Sequence, residues 1–266
     1  MAKAKNDFSV DLLKYPTSEE TKKIFELFPE LKKIHISYNS KRNIQFNSTD
    51  IFIDYNDFEQ WLIRLLNKLG DIRFSYIQLV DSFNKGIPDW NWKMDKDRGG
   101  IVFFPEFSKE EHNANKFLFD FFIETFYYHY FSSVDILYKV INKLFSMNID
   151  EYKKNFNLKV LIKLKKEDLK LHEAIDQFLK LNKQNRKFRN DFTHNYAVNE
   201  VDMRSKKSIK DGRKTVTMMD PTYTPSKELF DEARNLIQVY LPVLRVFENS
   251  ITKVQEKYSA SVDDNL

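Results

Sequence analysis

Cysteine is absent from all 266 residues. That removes disulfides, thiolate zinc sites, iron–sulfur clusters and cysteine nucleophiles, and leaves any metal chemistry to His and carboxylates. Glycine is nearly as scarce. With only Gly70, Gly86, Gly99, Gly100 and Gly212, neither a G-x-G-x-x-G turn nor a P-loop can be written, and no G-x-S-x-G elbow exists. The five histidines form no H-E-x-x-H pair, so neither a metal nor a cofactor is expected. No apolar run reaches the ~20 residues of a membrane span. The longest, Phe117 to Phe131, is interrupted by Asp120, Glu124 and His129. The amino terminus, MAKAKNDFSV, has no apolar stretch behind it, so no signal peptide, no membrane partner and a cytoplasmic location are expected.

What remains is a chain that is 42% apolar and 15% aromatic, enough to bury a sizeable core. The fold class expected is mainly α: a four-helix bundle over about residues 108–258, a small mixed α/β extension over 1–107, a β-hairpin insertion near 200–219 and a frayed tail over 259–266. Alternation at Ile34, Ile36 and Tyr38, and again at Ile51 and Ile53, reads as strand, as does Ile-Val-Phe-Phe after Gly99-Gly100. A helix should cover Asn56 to Phe83, with Asn56 and Glu59 as a capping box and Gly70 a break or kink. The next should run from Ser108 to about Met147, its Phe117–Phe131 stretch being core. A third should run from Glu167 to about His194. The last opens at Thr224-Pro225 and is kinked at Pro242. Asp211-Gly212 between alternating residues predicts the hairpin. His35 and His129 read as structural or surface residues, His172 as exposed, and Trp90 and Trp92 as anchors of a loop.

Charge is the next scarcity. The net is only +4, yet Glu151 to Lys214 holds 18 Lys+Arg against 9 Asp+Glu, leaving the remainder at −5. Arg186 and Lys187 flank one short motif, and Arg204, Lys206, Lys207, Lys210, Arg213 and Lys214 load the hairpin. Singly these are solvated side chains. Together they form a candidate RNA-steering surface.

The motif is Arg189-Asn190-x-x-x-His194, at the end of the third helix. A guanidinium can hold a phosphodiester bidentately, and an imidazole titrating near neutrality can move its proton. Asn190 and His194 are four apart and share a helical face, whereas Arg189 and His194 differ by about 140°. Either the helix ends before His194, or a symmetric partner brings a second set. The same spacing with Asn after Arg would arise by composition alone only about 0.02 times in such a chain. The rival for these residues is structural: Arg189 paired to a carboxylate and His194 at a helix carboxyl end, where a cation is favoured.

The motif resembles the R-N-x-x-x-H form of the Arg-x4–6-His signature of the HEPN superfamily. Length and arrangement are most similar to the stand-alone bacterial members of toxin–antitoxin and abortive-infection systems, including the Cthe2314-like group. The resemblance implies a homodimer with both motifs in one cleft and a metal-independent endoribonuclease acting as a toxin or anti-phage effector. In that reading Arg189 stabilises the transition-state phosphate, His194 is the acid/base and Asn190 orients them. The ribose 2′-hydroxyl is then the nucleophile. It also admits a cognate antitoxin or sensor protein as partner. The alternative within the superfamily is a non-catalytic module that binds RNA, a nucleotide or a protein.

Overall fold

The computed structural model describes residues 9–38, 49–90, 93–95, 101–103, 107–183, 185–194, 197–202, 204, 206–210, 213–217 and 222–263. The protein is mainly helical. In chain order it contains α1 (Ser18–Leu27), α2 (Thr49–Asn84), β1 (Lys93–Asp95), β2 (Ile101–Phe103) and α3 (Glu110–Leu144). There follow α4 (Phe156–Glu167), α5 (Leu169–Leu181), α6 (Asn185–His194), β3 (Lys206–Lys210), β4 (Arg213–Thr217) and α7 (Ser226–Asp263). Each strand pair is antiparallel, β1 with β2 and β3 with β4.

The chain divides into two compact units, and α2, α3 and α7 each contribute to both. One unit comprises Met1–Leu27, Ser75–Tyr127 and Gln184–Arg234. Its core is aromatic: Phe83 stacks on Phe230 with ring centroids 4.7 Å apart, and Tyr76 lies 5.8 Å from the same ring. α1 starts with a capping box in which the Thr17 amide donates to Glu20 and the Glu20 amide donates to the Thr17 hydroxyl. That backbone donation, before any side-chain contact, holds the Glu20 carboxyl below its ordinary value.

The start of α7 is capped from outside the helix. Asp89, 2% exposed, accepts from the Ser226 amide at 2.8 Å, from the Ser226 hydroxyl at 2.7 Å and from the Tyr223 hydroxyl at 2.6 Å. One buried carboxylate therefore satisfies an orphan helix donor and two hydroxyls. Trp90 beside it is 77% exposed; the loop is anchored by the acid, not by this indole. Trp92 lies outside the described residues.

The other unit comprises Phe28–Phe74, Tyr128–Lys183 and Asn235–Leu266. Phe58, Leu62, Leu65, Leu69 and Ile72 of α2 are at most 3% exposed, and the 3-4 spacing of these residues is the buried stripe. Tyr130 of α3 packs on Phe178 of α5 and Tyr240 of α7, and its hydroxyl donates to the Leu236 carbonyl at 3.0 Å. His129 is structural: its Nδ1 lies 3.0 Å from Lys68 Nζ and 3.2 Å from Asp71 Oδ2.

Four local expectations are corrected. Ile51 and Ile53 lie in α2, whose helix starts before Asn56, so Asn56 and Glu59 do not cap it, and α2 continues through Gly70. Three alternating residues are too few to distinguish strand from the first turn of a long helix. Ile34 and Ile36 are buried and His35 and Ser37 exposed, as in a strand. Yet among the described residues this segment joins no sheet, and the Ser37 amide donates to Glu248 at 2.7 Å. His172 is half-buried, with a buried Nδ1. The helix expected from Glu167 to His194 is two helices, α5 and α6. α5 ends where the Asn182 amide group turns back onto the Phe178 carbonyl, a local bond that competes with helix propagation.

Candidate functional site

The site is built on α6, within the first unit. The helix is anchored by Phe188 and Phe192, whose rings lie 6.4 and 5.1 Å from that of the fully buried Tyr127. With those two rings turned inward, the 100° step of a helix sets every other position. Lys187 and Asn190 face outward and are exposed, as is Arg186. Position 194 follows Asn190 by one turn and falls in the row of Lys187 and Asp191.

Arg189 is half-exposed, and its Nη1 donates to Asn190 Oδ1 at 3.1 Å. The long side chain thus bends around the helix toward the Asn190 row. α6 is one helix from Asn185 to His194, so the motif's Arg and His positions sit on one rigid segment about 140° apart. The His194 side chain lies outside the described residues.

Beside this edge is a cleft of about 490 Å³. Lys187, Phe188 and Asp191 of α6 form one wall, Glu200, Asp202 and Arg204 another, and Tyr223 between two threonines closes it. The second wall is held by polar contacts. The Asp202 and Thr222 backbones pair in both directions, at 2.9 and 3.0 Å, and the Thr224 amide donates to the Val198 carbonyl at 2.9 Å. Lys116, in a buried ion pair with Asp120, also donates to the Asn199 carbonyl at 3.3 Å. Its ammonium lies 5.6 Å from the centre of the Tyr223 ring. Burial, then the Asp89 charge and hydrogen bond, pushes the Tyr223 phenol far above its usual range, so it stays a donor.

Sequence reasoning singled out Arg186, Lys187, Arg189, Asn190, His194 and Arg204, and all six lie on α6 or the cleft wall. Arg204 is turned to Asp202, donating from Nε at 2.9 Å and Nη2 at 2.8 Å while remaining largely exposed. Lys206, Lys207 and Lys210 lie on β3 and Arg213 and Lys214 on β4. The register pairs Lys206 with Thr217, Ile209 with Lys214 and Lys210 with Arg213. Positions 206, 210 and 213 therefore share one face and 207 and 214 the other. The side chains of these five, and Asp211-Gly212, on which the hairpin turn was expected, lie outside the described residues. Sequence reasoning missed Asp89, Lys116, Glu200 and Tyr223. Lys116 meets the Asn199 carbonyl 83 residues away, and Asp89 meets Tyr223 and Ser226 134 and 137 residues away; no local pattern marks such pairs.

Among the described residues, no group of three or more His, Asp or Glu is placed to hold a metal ion, and no helix is long and apolar enough to cross a membrane. A family model for Cthe2314-like HEPN domains matches residues 61–255. Comparison with curated proteins and with solved structures gives no match.

Proposed function

Taking as premise that the chain belongs to the Cthe2314-like HEPN family, we propose that it is a metal-independent endoribonuclease. The observation that carries this reading is the Arg189–Asn190 hydrogen bond on a helix edge that also holds position 194. In the proposed reaction His194 takes the proton of a ribose 2′-hydroxyl, and the 2′-oxygen attacks the adjacent phosphorus. Arg189 neutralises the charge growing on the non-bridging oxygens. The 5′-oxygen leaves with a proton returned by an imidazolium, giving a 2′,3′-cyclic phosphate and a 5′-hydroxyl. The nucleophile belongs to the substrate and both proton carriers to the protein, so no step calls for a metal ion.

We assign the working unit as a homodimer. A single straight helix holds Arg189 and His194 about 140° apart, and Asn190 draws the guanidinium only part of the way. A second α6 across a two-fold brings the other Arg and His to the shared phosphate. The arm formed by β3 and β4, with Arg186 and Lys187, would steer RNA toward that edge. Such an enzyme suits a toxin or anti-phage effector held in check by an antitoxin or sensor protein.

The test is cleavage of single-stranded RNA in excess EDTA. Wild type should cut, and Arg189→Ala and His194→Ala should each lose at least about a hundredfold in rate, the usual contribution of a positioned acid/base group, with unchanged melting temperature. Retention of RNA without cutting, weakened by salt, would support the non-catalytic binding module instead.

A further inference from the structure

We infer that the cleft between α6 and the Tyr223 wall is a nucleobase subsite that selects an amino-bearing base over uracil next to the cleaved bond. The inference rests on the nuclease reading for its place in the reaction, and on the chemistry of the cleft for its ligand.

Position and lining both point to a base rather than a phosphate. Asp191 immediately follows Asn190, and Lys187 lies three residues before it, so the cleft opens one step around α6 from the motif edge. Three of its lining side chains are carboxylates, Asp191, Glu200 and Asp202; Asp202 is paired with Arg204, and the other two repel phosphate oxygens. Of the two exposed cations that line it, Lys187 suits a flanking phosphate, while Arg204 is turned onto Asp202. Phe188 and Tyr223 supply flat apolar surface for a ring.

Tyr223 is fixed in advance. Its hydroxyl is held by buried Asp89 and its ring by the Lys116 ammonium, which are themselves fixed by α7 and Asp120. A preformed wall loses little entropy when a ring settles on it.

Selectivity follows from donor and acceptor counts. An ionised carboxylate only accepts, and it has about four lone-pair sites, so ties to neighbouring groups do not exhaust it. Asp191 and Glu200 can accept from the amino group of cytosine, adenine or guanine. Uracil presents carbonyl oxygens in that place, and each would face a carboxylate oxygen.

The experiment uses two otherwise identical oligonucleotides, deoxy except for one ribose, with cytosine or uracil on both sides of the single cleavable bond. Wild type should cleave the cytosine form at least about tenfold faster in kcat/KM, as one good base contact allows. Asp191→Asn with Glu200→Gln should bring the two within about threefold by slowing the cytosine form. Binding is read in parallel as fluorescence anisotropy of the corresponding all-RNA strands on His194→Ala protein in EDTA, where cytosine should bind several-fold more tightly. Equal binding, or a preference that survives the double substitution, overturns the subsite. A binding preference without cleavage by wild type overturns the nuclease reading and leaves the subsite standing. Glu200→Gln alone, with circular dichroism, serves if the double variant does not fold.

Discussion

Arg189 donates to the side chain of its own neighbour, Asn190, across 3.1 Å. Adjacent positions on a helix diverge by 100°, so this bond forms only because the arginine curls toward the row that holds position 194. Asn190→Ala removes the acceptor that draws the guanidinium toward that row. RNA cleavage should fall about ten- to a hundredfold, the range for losing a hydrogen bond to a charged group. Asn190 is exposed, so chemical denaturation should shift by less than about 0.5 kcal/mol.

Asp89→Ala strips the cap from α7 and leaves the Ser226 amide, the Ser226 hydroxyl and the Tyr223 hydroxyl without their shared acceptor. Ser226 is fully buried. Urea denaturation should show a loss of about 3 kcal/mol or more. Asp89→Asn, which keeps an acceptor oxygen, should lose less.

Lys116 and Asp120 form an ion pair whose side chains are each 6% exposed. Lys116→Met leaves the carboxylate buried without that ammonium and should destabilise by about 3–5 kcal/mol. The double variant Lys116→Met with Asp120→Leu should recover much of this, because removing both charges removes the uncompensated one. Coupling near zero in the double-mutant cycle would contradict the account of the cleft wall.

Gly70 sits inside α2, and a Cβ added there meets no atom within 4 Å. Gly70→Ala should therefore stabilise by about 0.5–1 kcal/mol. In a chain of this size that is a rise of roughly 1–4 °C in Tm.

Burial, and then the Lys68 ammonium, lowers the His129 pKa from its ordinary value against an opposing pull from Asp71. A histidine whose folded pKa lies below its unfolded one binds more protons when unfolded. Its contribution to stability is thus complete above the unfolded value, near 6.5, and is lost as pH falls through the folded pKa. Melting temperatures of wild type and His129→Gln should run parallel from pH 7 to 8. Below about 6.5 the wild type should lose stability more steeply.

The sequence announced its long helices because each carries a buried stripe at 3-4 spacing, as from Phe58 to Ile72. It misjudged the ends, where local bonds decide: Asp168 caps α5 by accepting from the Leu171 amide, and Asn182 closes it. The motif on α6 was legible because its residue types fall at a short, fixed spacing. The cleft beside it was not, since Asp89 meets Tyr223, and Lys116 the Asn199 carbonyl, only through tertiary folding. The charge split pointed to the stretch that holds α6, β3 and β4. It did not foresee that Arg204, counted as a steering cation, is turned onto Asp202.

Mass spectrometry of the fragment ends left when purified protein is incubated with RNA in EDTA decides whether the chain cuts RNA without a metal ion. Wild type should leave 2′,3′-cyclic phosphate and 5′-hydroxyl ends, Arg189→Ala and His194→Ala should leave no fragments, and no cleavage should occur where a single 2′-deoxy residue precedes the target bond. Fragments with 5′-phosphate ends, cleavage that EDTA abolishes, or full cutting by both variants would contradict the proposed reaction.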